Sequence, residues 1–302
     1  MAKTLVLVHG RHYKPPMADL QKLWLDAIEA GIRRDFPAKV SAFKNAKIEF
    51  VYYGDISNKF LSERNGERVP NDIKDRQAAL DALKLLKANQ FTKASYKALP
   101  GYNPWMEALA DFASGPLSFV GLSDSIIKKV APDIEEYWED QGFGSSVREV
   151  FAKGLERALA KPGEVCVVAH SLGTMISYDT FWKMSHTSEY RKAPWDRPID
   201  RWITLGAPLG DSTVQKNLKG ADEKPAFRYP TNVKEWFNVA AEDDYISHDQ
   251  TVADDFKAMK STTQIKDKSI YNLAVRAGKS NPHNESGYLI HPYVTGLIAN
   301  WL

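Results

Sequence analysis

The sequence predicts an α/β fold with a mostly parallel sheet of about six strands and helices on both faces. Short apolar runs rich in β-branched residues alternate with segments of helical spacing near both ends of the chain. Such alternation is typical of parallel strands joined by right-handed crossovers, whose helices cover both faces of the sheet. The length of 302 residues suits one large domain, or a core domain that carries an insertion.

The first predicted elements are a strand, a helix and a second strand. Residues 5–8 form a continuous apolar run, which is typical of a strand buried on both faces. Residues 17–33 follow with their apolar positions on one side, which predicts a helix. The second strand is predicted at residues 47–53 and is closed by Gly54 and Asp55.

The alternation stops between residues 56 and 144, where prolines and glycines separate helical segments. Because this region joins two halves of one series, we expect a helical insertion, acting as a cap or lid, on a core of residues 1–55 and 145–302. Its most apolar stretch, residues 99–130, is expected to pack against the core. The alternative is an acyl-binding wall, or an interfacial surface that touches a membrane. The apolar residues concerned are Trp105, Met106, Leu109, Phe112, Leu117, Phe119, Val120 and Leu122.

Strand–helix alternation resumes in the second half of the chain. The predicted strands are residues 165–169, 201–205, 233–240 and 269–276. The predicted helices are residues 145–160, 171–184 and 292–302. A polar, lysine-rich loop is expected over residues 209–232. In such sheets ligands bind beyond the carboxyl ends of the strands, so catalytic residues should directly follow strands.

The charge balance argues against a nucleic-acid partner. The chain has 40 Lys and Arg against 38 Asp and Glu, and the charged stretch at residues 59–76 mixes both signs. A nucleic-acid footprint would need clustered basic residues in excess. We therefore expect residues 59–76 to lie on the solvated surface. No cofactor is predicted from the sequence.

The single cysteine, Cys166, excludes an intramolecular disulfide. It lies in an apolar run, so we expect a buried core residue rather than a nucleophile. No signal peptide is visible after Met1, and no apolar run reaches the ~18 residues of a membrane-spanning helix. These observations predict a cytoplasmic location.

Ser171 is the candidate nucleophile, because it stands between an apolar strand and a helix. A serine hydroxyl needs a base to remove its proton and a sharp turn that projects it toward substrate. Small residues two positions before and after it, Ala169 and Gly173, let the strand and the helix approach closely. A serine that only caps the helix is the alternative. The strand–turn–helix context favours catalysis.

The segment Ala169-His170-Ser171-Leu172-Gly173 resembles the nucleophile elbow of lipases and esterases of the α/β-hydrolase family, with Ala in place of the usual first glycine. Residues 5–10 (Leu-Val-Leu-Val-His-Gly) are similar to the family's oxyanion strand and turn, and residues 204–208 (Thr-Leu-Gly-Ala-Pro) to a strand end found one βα unit after a lipase elbow. The resemblance does not extend over residues 56–144. It implies an α/β-hydrolase fold with a Ser–Asp–His triad.

The resemblance also implies an oxyanion hole of two backbone amides. One is the amide of Leu172, and the other is the amide of Arg11, with His12 as the alternative. Gly10 lets the chain turn tightly at this point. His9 and His12 could also suggest a metal site, but no carboxylate or Cys cluster completes one, so no metal is predicted. The Arg11 side chain is a candidate contact for an anionic group of the substrate.

The acid and the base should follow the nucleophile in the order Ser, Asp, His. Glu242, Asp243 and Asp244 come directly after a predicted strand, and Asp244 is preferred because Tyr-Ile follows it, similar to the family's Asp-x-Val/Ile pattern. His283 follows the last predicted strand by seven residues and precedes the terminal helix, so it is the predicted base. His291 is the alternative, although it looks like a helix start.

These residues predict a serine hydrolase that cleaves a carboxylic ester, with a small-molecule or lipid ester as its partner. The same triad would serve an amidase or a thioesterase. A catalytically silent protein of this fold, used for binding, is a further alternative, but it would have no need of all three side chains. The sequence predicts no oligomeric state.

Overall fold

The computed structural model describes residues 3–102, 132–139 and 141–302. The eight apolar residues named above, from Trp105 to Leu122, lie outside these ranges. The wall or membrane-contacting surface expected of them therefore stays a prediction. The same holds for the extent of the insertion and its action as a lid.

A six-stranded parallel sheet forms the centre of the molecule, in the order β2-β1-β3-β4-β5-β6. Its strands are β1 (Lys3–Val8), β2 (Lys47–Val51), β3 (Glu164–His170), β4 (Ile199–Leu205), β5 (Val233–Ala241) and β6 (Gln264–Ile270). A separate antiparallel hairpin pairs β7 (Val275–Arg276) with β8 (Lys279–Ser280). The prediction of an α/β class with a mostly parallel sheet of about six strands is confirmed.

Helices cover both faces of this sheet. They are α1 (Met17–Asp35), α2 (Val40–Asn45), α3 (Gly54–Asn65), α4 (Ile73–Lys84), α5 (Lys93–Lys97), α6 (Pro132–Glu139), α7 (Gln141–Leu159), α8 (Leu172–His186), α9 (Ser212–Asn217), α10 (Glu285–Leu289) and α11 (Pro292–Trp301). Short 3₁₀ turns occur at Pro37–Lys39, Ala88–Gln90, Ser188–Tyr190, Pro208–Gly210, Pro225–Phe227, Tyr245–Ser247 and Lys257–Ser261. No helix within the described ranges has the length and apolarity needed to span a bilayer.

The strands are apolar on both sides because each side meets a helical layer. In β1, Val6 and Val8 pack into the core beneath α7 and α8, whereas Leu5 and Leu7 pack into the core beneath α1 and α11. Successive side chains of a strand point to opposite faces, so a continuous apolar run fills both cores at once. Cys166 is buried and free, as expected for a core residue.

The last sheet strand lies earlier than predicted. The prediction was residues 269–276, whereas β6 spans Gln264–Ile270. β6 is an edge strand whose residues are mostly exposed or half-exposed, so it carries no apolar run that marks it in the sequence. The apolar residues after it, Leu273 and Ala274, are buried in an irregular segment instead.

Two further boundaries differ from expectation. The loop predicted over residues 209–232 contains α9, because the Asp211 carboxylate accepts hydrogen bonds from the Thr213 and Val214 amides and caps it. The helix predicted from residue 145 begins at Gln141 as α7. Between β2 and β3, the described residues form helices and no strand, as the interrupted alternation indicates.

Candidate active site

Ser171 occupies the sharp turn between β3 and α8. Its backbone has φ 54° and ψ −126°, a left-handed conformation that a residue with a side chain adopts at an energetic cost. The turn is held on both sides: the Ser171 amide donates to the Leu205 carbonyl (3.0 Å), and the Thr174 hydroxyl donates to the Ser171 carbonyl (2.6 Å). The side chain therefore projects from the carboxyl end of a central strand.

Ser171, His283 and Asp244 form a continuous hydrogen-bonded chain. The Ser171 hydroxyl lies 2.9 Å from His283 Nε2, and His283 Nδ1 lies 2.9 Å from each carboxylate oxygen of Asp244. With the proton on Nδ1, that nitrogen donates to Asp244 and Nε2 accepts from the serine. The structure brings together the nucleophile, base and acid predicted from the sequence, across 112 and 39 residues of chain.

The Asp244 carboxylate is fully buried and held ionised. It accepts hydrogen bonds from the Tyr288 hydroxyl (2.6 Å) and the Ile246 amide (3.0 Å) as well as from His283. Burial by itself would raise the pKa of Asp244, but the charge and hydrogen bond of His283 and the hydrogen bond of Tyr288 lower it to about 2. The acid is therefore an anion at neutral pH, which fixes the tautomer of His283.

The loop that carries His283 is fastened to the end of β6 by one asparagine. The Asn272 side-chain amide donates to the carbonyls of Pro282 (2.8 Å) and Asn284 (2.9 Å), which flank the histidine on both sides. Asn272 itself is fully buried. These two hydrogen bonds fix the loop that carries His283, which connects the β7–β8 hairpin to α10.

The turn after β1 lies directly against the nucleophile. A Cβ atom on Gly10 would come within 2.6 Å of Ser171 Cβ, so only glycine fits this close approach. His9 fixes this turn through two hydrogen bonds. Its Nδ1 donates to the Gly10 carbonyl (2.8 Å), and its Nε2 accepts from the Tyr53 amide (3.1 Å). The predicted oxyanion residue Arg11 follows on the wall of the adjoining cavity.

Leu172, the other predicted oxyanion residue, is the first residue of α8. Amides in the first turn of a helix have no carbonyl acceptor within the helix and point out of its N-terminus. The Leu172 amide is therefore available at the side of Ser171. His12, the alternative to Arg11, is exposed and has φ 75°.

Gly206, directly after β4, lies beneath the acid and the base. It has φ 55°, and a Cβ atom there would come within 2.8 Å of Asp244 Oδ2 and 3.1 Å of His283 Nδ1. This glycine leaves the space in which the two side chains meet. The segment around it was noted in the sequence as a strand-end motif, but its contact with the acid and base follows only from the fold.

His170 lies next to the nucleophile and against the base. Its ring centre is 4.7 Å from that of His283, and its Nε2 donates to the His283 carbonyl (3.0 Å). Burial first, and then the charge of His283, lower the pKa of His170 to about 3, so the ring is neutral at physiological pH. In the sequence, His170 was only one residue of the segment around Ser171, and nothing there indicated its contact with His283.

A cavity of about 590 Å³ opens beside His283 at the carboxyl ends of the strands. Its wall includes Arg11, His170 and side chains of the helical region that follows β2. The charged residues of the wall are Arg11, Lys14, Asp72, Arg76, Asp243, Asp244, Arg276 and Glu285. Ser171 is fully buried next to this cavity.

Asp243 and His291, the alternative candidates for the acid and the base, lie outside the hydrogen-bonded chain of Ser171, His283 and Asp244. Asp243 has φ 59° and lies on the cavity wall, where Tyr96 is its neighbour. His291 caps α11, its Nδ1 accepting from the Tyr293 amide (3.1 Å). In the described part of the chain, His, Cys, Asp and Glu form no group of three that could hold a metal ion.

The supporting residues Tyr288, Asn272 and Gly206 were not predicted. Each acts through contacts between elements far apart in the sequence, and none stands in a local motif. His283 and the buried Asp244 carboxylate lie in line behind the Ser171 hydroxyl, which is the arrangement in which a serine can be activated as a nucleophile. No protein-family model, no curated protein and no solved structure matches this chain.

Proposed function

We propose that this protein is a serine hydrolase that cleaves carboxylic esters through an acyl-enzyme on Ser171. The observation that carries the proposal is the hydrogen-bonded chain from Ser171 through His283 to Asp244, with both contacts at 2.9 Å. A serine that only capped α8 would not need this chain, and no side-chain capping bond from Ser171 is present.

The proposed fold is that of the α/β-hydrolase family. The six parallel strands support it, as do the placement of Ser171 at a strand-to-helix turn and the chain order Ser, Asp, His. In this arrangement Asp244 directly follows β5, and His283 follows the β7–β8 hairpin that comes after β6. The helical region after β2 contributes Asp72 and Arg76 to the cavity wall, which supports a cap over the site.

In the proposed reaction, His283 Nε2 takes the Ser171 proton as the hydroxyl attacks the ester carbonyl. Asp244 keeps the tautomer of the ring and stabilises the imidazolium that forms. The negative charge that builds on the carbonyl oxygen is received by the amides of Leu172 and Arg11. His283 then protonates the leaving alcohol, and water releases the acyl group by the same steps in reverse order.

Labelling with a fluorophosphonate tests this proposal directly, because the probe reacts only with an activated and accessible serine. We expect the purified wild-type protein to gain one covalent label, located on Ser171 by peptide mass spectrometry. The Ser171→Ala variant should gain none. Since Ser171 is buried, the experiment also measures whether a ligand reaches its hydroxyl.

Ser177→Ala is a matched control, because Ser177 is another fully buried serine of α8 whose hydroxyl donates to the Thr174 carbonyl. This variant should label as the wild type does. A wild-type protein that is folded by circular dichroism and never labels would overturn the proposal. Hydrolysis of 4-nitrophenyl esters by the labelled and unlabelled protein then distinguishes an esterase from a silent protein.

A further inference from the structure

His170 has one ring nitrogen that its hydrogen bond to the base loop leaves unused. Nε2 lies 3.0 Å from the His283 carbonyl, which can only accept, so Nε2 carries the proton. Nδ1 is therefore a lone-pair acceptor. It is buried, and among the residues that the structure describes it has no hydrogen-bond partner.

This acceptor lies close to the nucleophile, on a residue that lines the cavity. His170 belongs to the wall of the cavity beside His283. A Cβ atom on Gly10 would come within 2.8 Å of His170 Nδ1 and 2.6 Å of Ser171 Cβ, so the nitrogen and the nucleophile both lie against the same glycine.

A buried acceptor without a partner destabilises the protein, and a hydrogen-bond donor on a ligand would remove that cost. The neutral state of the His170 ring limits which ligand groups Nδ1 can bind. Because burial and the neighbouring cationic groups keep His170 neutral, Nδ1 cannot attract an anion, and it repels other acceptors such as ether or carboxylate oxygens.

We propose that His170 Nδ1 accepts a hydrogen bond from a hydroxyl or N–H group of the substrate, close to the ester that is cleaved. The inference rests on the proposed function and makes it more specific: the substrate is a hydroxy- or amino-substituted ester rather than a plain alkyl ester. His170 then has two roles on its two nitrogens, positioning the base loop through Nε2 and selecting the substrate through Nδ1.

Two variants separate these roles. In His170→Gln the amide nitrogen lies where Nε2 lies, so the hydrogen bond to the His283 carbonyl is kept and the acceptor at Nδ1 is lost. In His170→Asn the amide oxygen lies where Nδ1 lies, so the acceptor is kept and the bond to the base loop is lost. Both residues are neutral, as His170 is.

The substrates are two isosteric pairs in which a hydroxyl replaces a methyl group. One pair is 4-nitrophenyl 2-hydroxypropanoate and 4-nitrophenyl 2-methylpropanoate, with the donor on the acyl side. The other is 2-hydroxyethyl butanoate and propyl butanoate, with the donor on the alcohol side. Each kcat/KM is divided by the alkaline hydrolysis rate of the same ester, which removes the intrinsic reactivity difference.

We expect the wild type to prefer the hydroxyl member of one pair by at least about 10-fold, since a site with a buried acceptor rejects a ligand that cannot satisfy it. His170→Gln should abolish this preference, whereas His170→Asn should retain it with a lower kcat on both members. The ratio of the two rates is the readout, so a general loss of activity does not imitate the result.

The proposal is overturned if the wild type prefers neither hydroxyl ester, or if His170→Gln retains the wild-type ratio. Either result leaves the proposed function standing as long as Ser171 is labelled by the fluorophosphonate and some ester is cleaved. Absence of label and of all hydrolysis would instead contradict the proposed function itself. The two failures are therefore distinguishable.

Discussion

The Asp244 carboxylate is held by more than its contact with His283. Asp244 receives hydrogen bonds from His283, Tyr288 and the Ile246 amide, and these contacts overcome the effect of burial on its pKa. Asp243, one residue earlier, has φ 59° and has Tyr96 as its neighbour. Neighbouring carboxylates thus have different environments because the chain turns between them.

Gly206 offers a test of the geometry at this scale. We expect Gly206→Ala to reduce kcat by about 100-fold, because the added Cβ overlaps Asp244 Oδ2 and displaces the pair by a fraction of an ångström to 1 Å. Steady-state kinetics on the best 4-nitrophenyl ester measures the effect. Labelling of Ser171 should slow in parallel.

Gly66→Ala is the matched control, because Gly66 has φ 66° and a Cβ atom there meets nothing within 4 Å. Both variants introduce a side chain at positive φ and should lose about 1 kcal/mol of unfolding free energy. Only Gly206→Ala should lose activity. Equal kinetics for the two variants would show that the close approach beneath the acid and base is unimportant.

At the scale of elements, a buried ion pair joins the helical region after β2 to the base loop. Arg76 of α4 donates to Glu285 of α10 and to Asp72 (2.9 Å), and Glu285 lies two residues after His283. Burial would raise the pKa of Glu285, but the positive charges of Arg76 and Lys14 lower it well below its usual range. This contact places α4 against the loop that presents the base.

Removing the charge of Glu285 should destabilise this contact. We expect Glu285→Gln to lower the unfolding free energy by about 3 kcal/mol, because it leaves Arg76 buried with less compensation. Urea unfolding measures the loss. Hydrogen exchange should accelerate in α10 and in the loop around His283, while the strands of the sheet keep their protection.

The same substitution at Glu149 is a suitable control. Glu149 pairs with Lys153 at 2.6 Å on the exposed face of α7, and exposed pairs contribute little. Glu149→Gln should leave the unfolding midpoint unchanged within error. If Glu285→Gln also left it unchanged, the buried pair would not hold the helical region against the base loop.

Across the whole molecule, three buried histidines link stability to pH. His9, His170 and His291 each have a pKa of about 3, chiefly because burial disfavours the charged ring. In the unfolded chain the same rings bind protons below about pH 6.5. The unfolded state therefore binds more protons between pH 6.5 and about 3, and stability falls as the pH falls through this window.

Each such histidine contributes up to about 1.4 kcal/mol per pH unit. We expect the unfolding free energy to drop by several kcal/mol between pH 6.5 and 5, measured by urea unfolding at half-unit steps. His291→Asn should reduce this slope by about a third, since asparagine caps α11 as His291 does and does not titrate. A flat profile above pH 5 would contradict the prediction.

The sequence predicts most of the sheet and the three central residues of the site, because both rest on local patterns. A residue directly after a parallel strand reaches the same edge as its neighbours, so Ser171 and Asp244 could be placed together from strand ends alone. β6 was misplaced because an exposed edge strand has no apolar run. Tyr288 and Asn272 act across elements, and no spacing in the sequence connects them to the acid and the base.

The backbone of Ser171 bears on why this side chain is present at all. At φ 54° and ψ −126°, any residue other than glycine raises the free energy of the folded state by about 1–3 kcal/mol. A population of chains selected for folding alone would drift toward glycine at this position. On folding grounds alone, a serine at this position is therefore disfavoured relative to glycine.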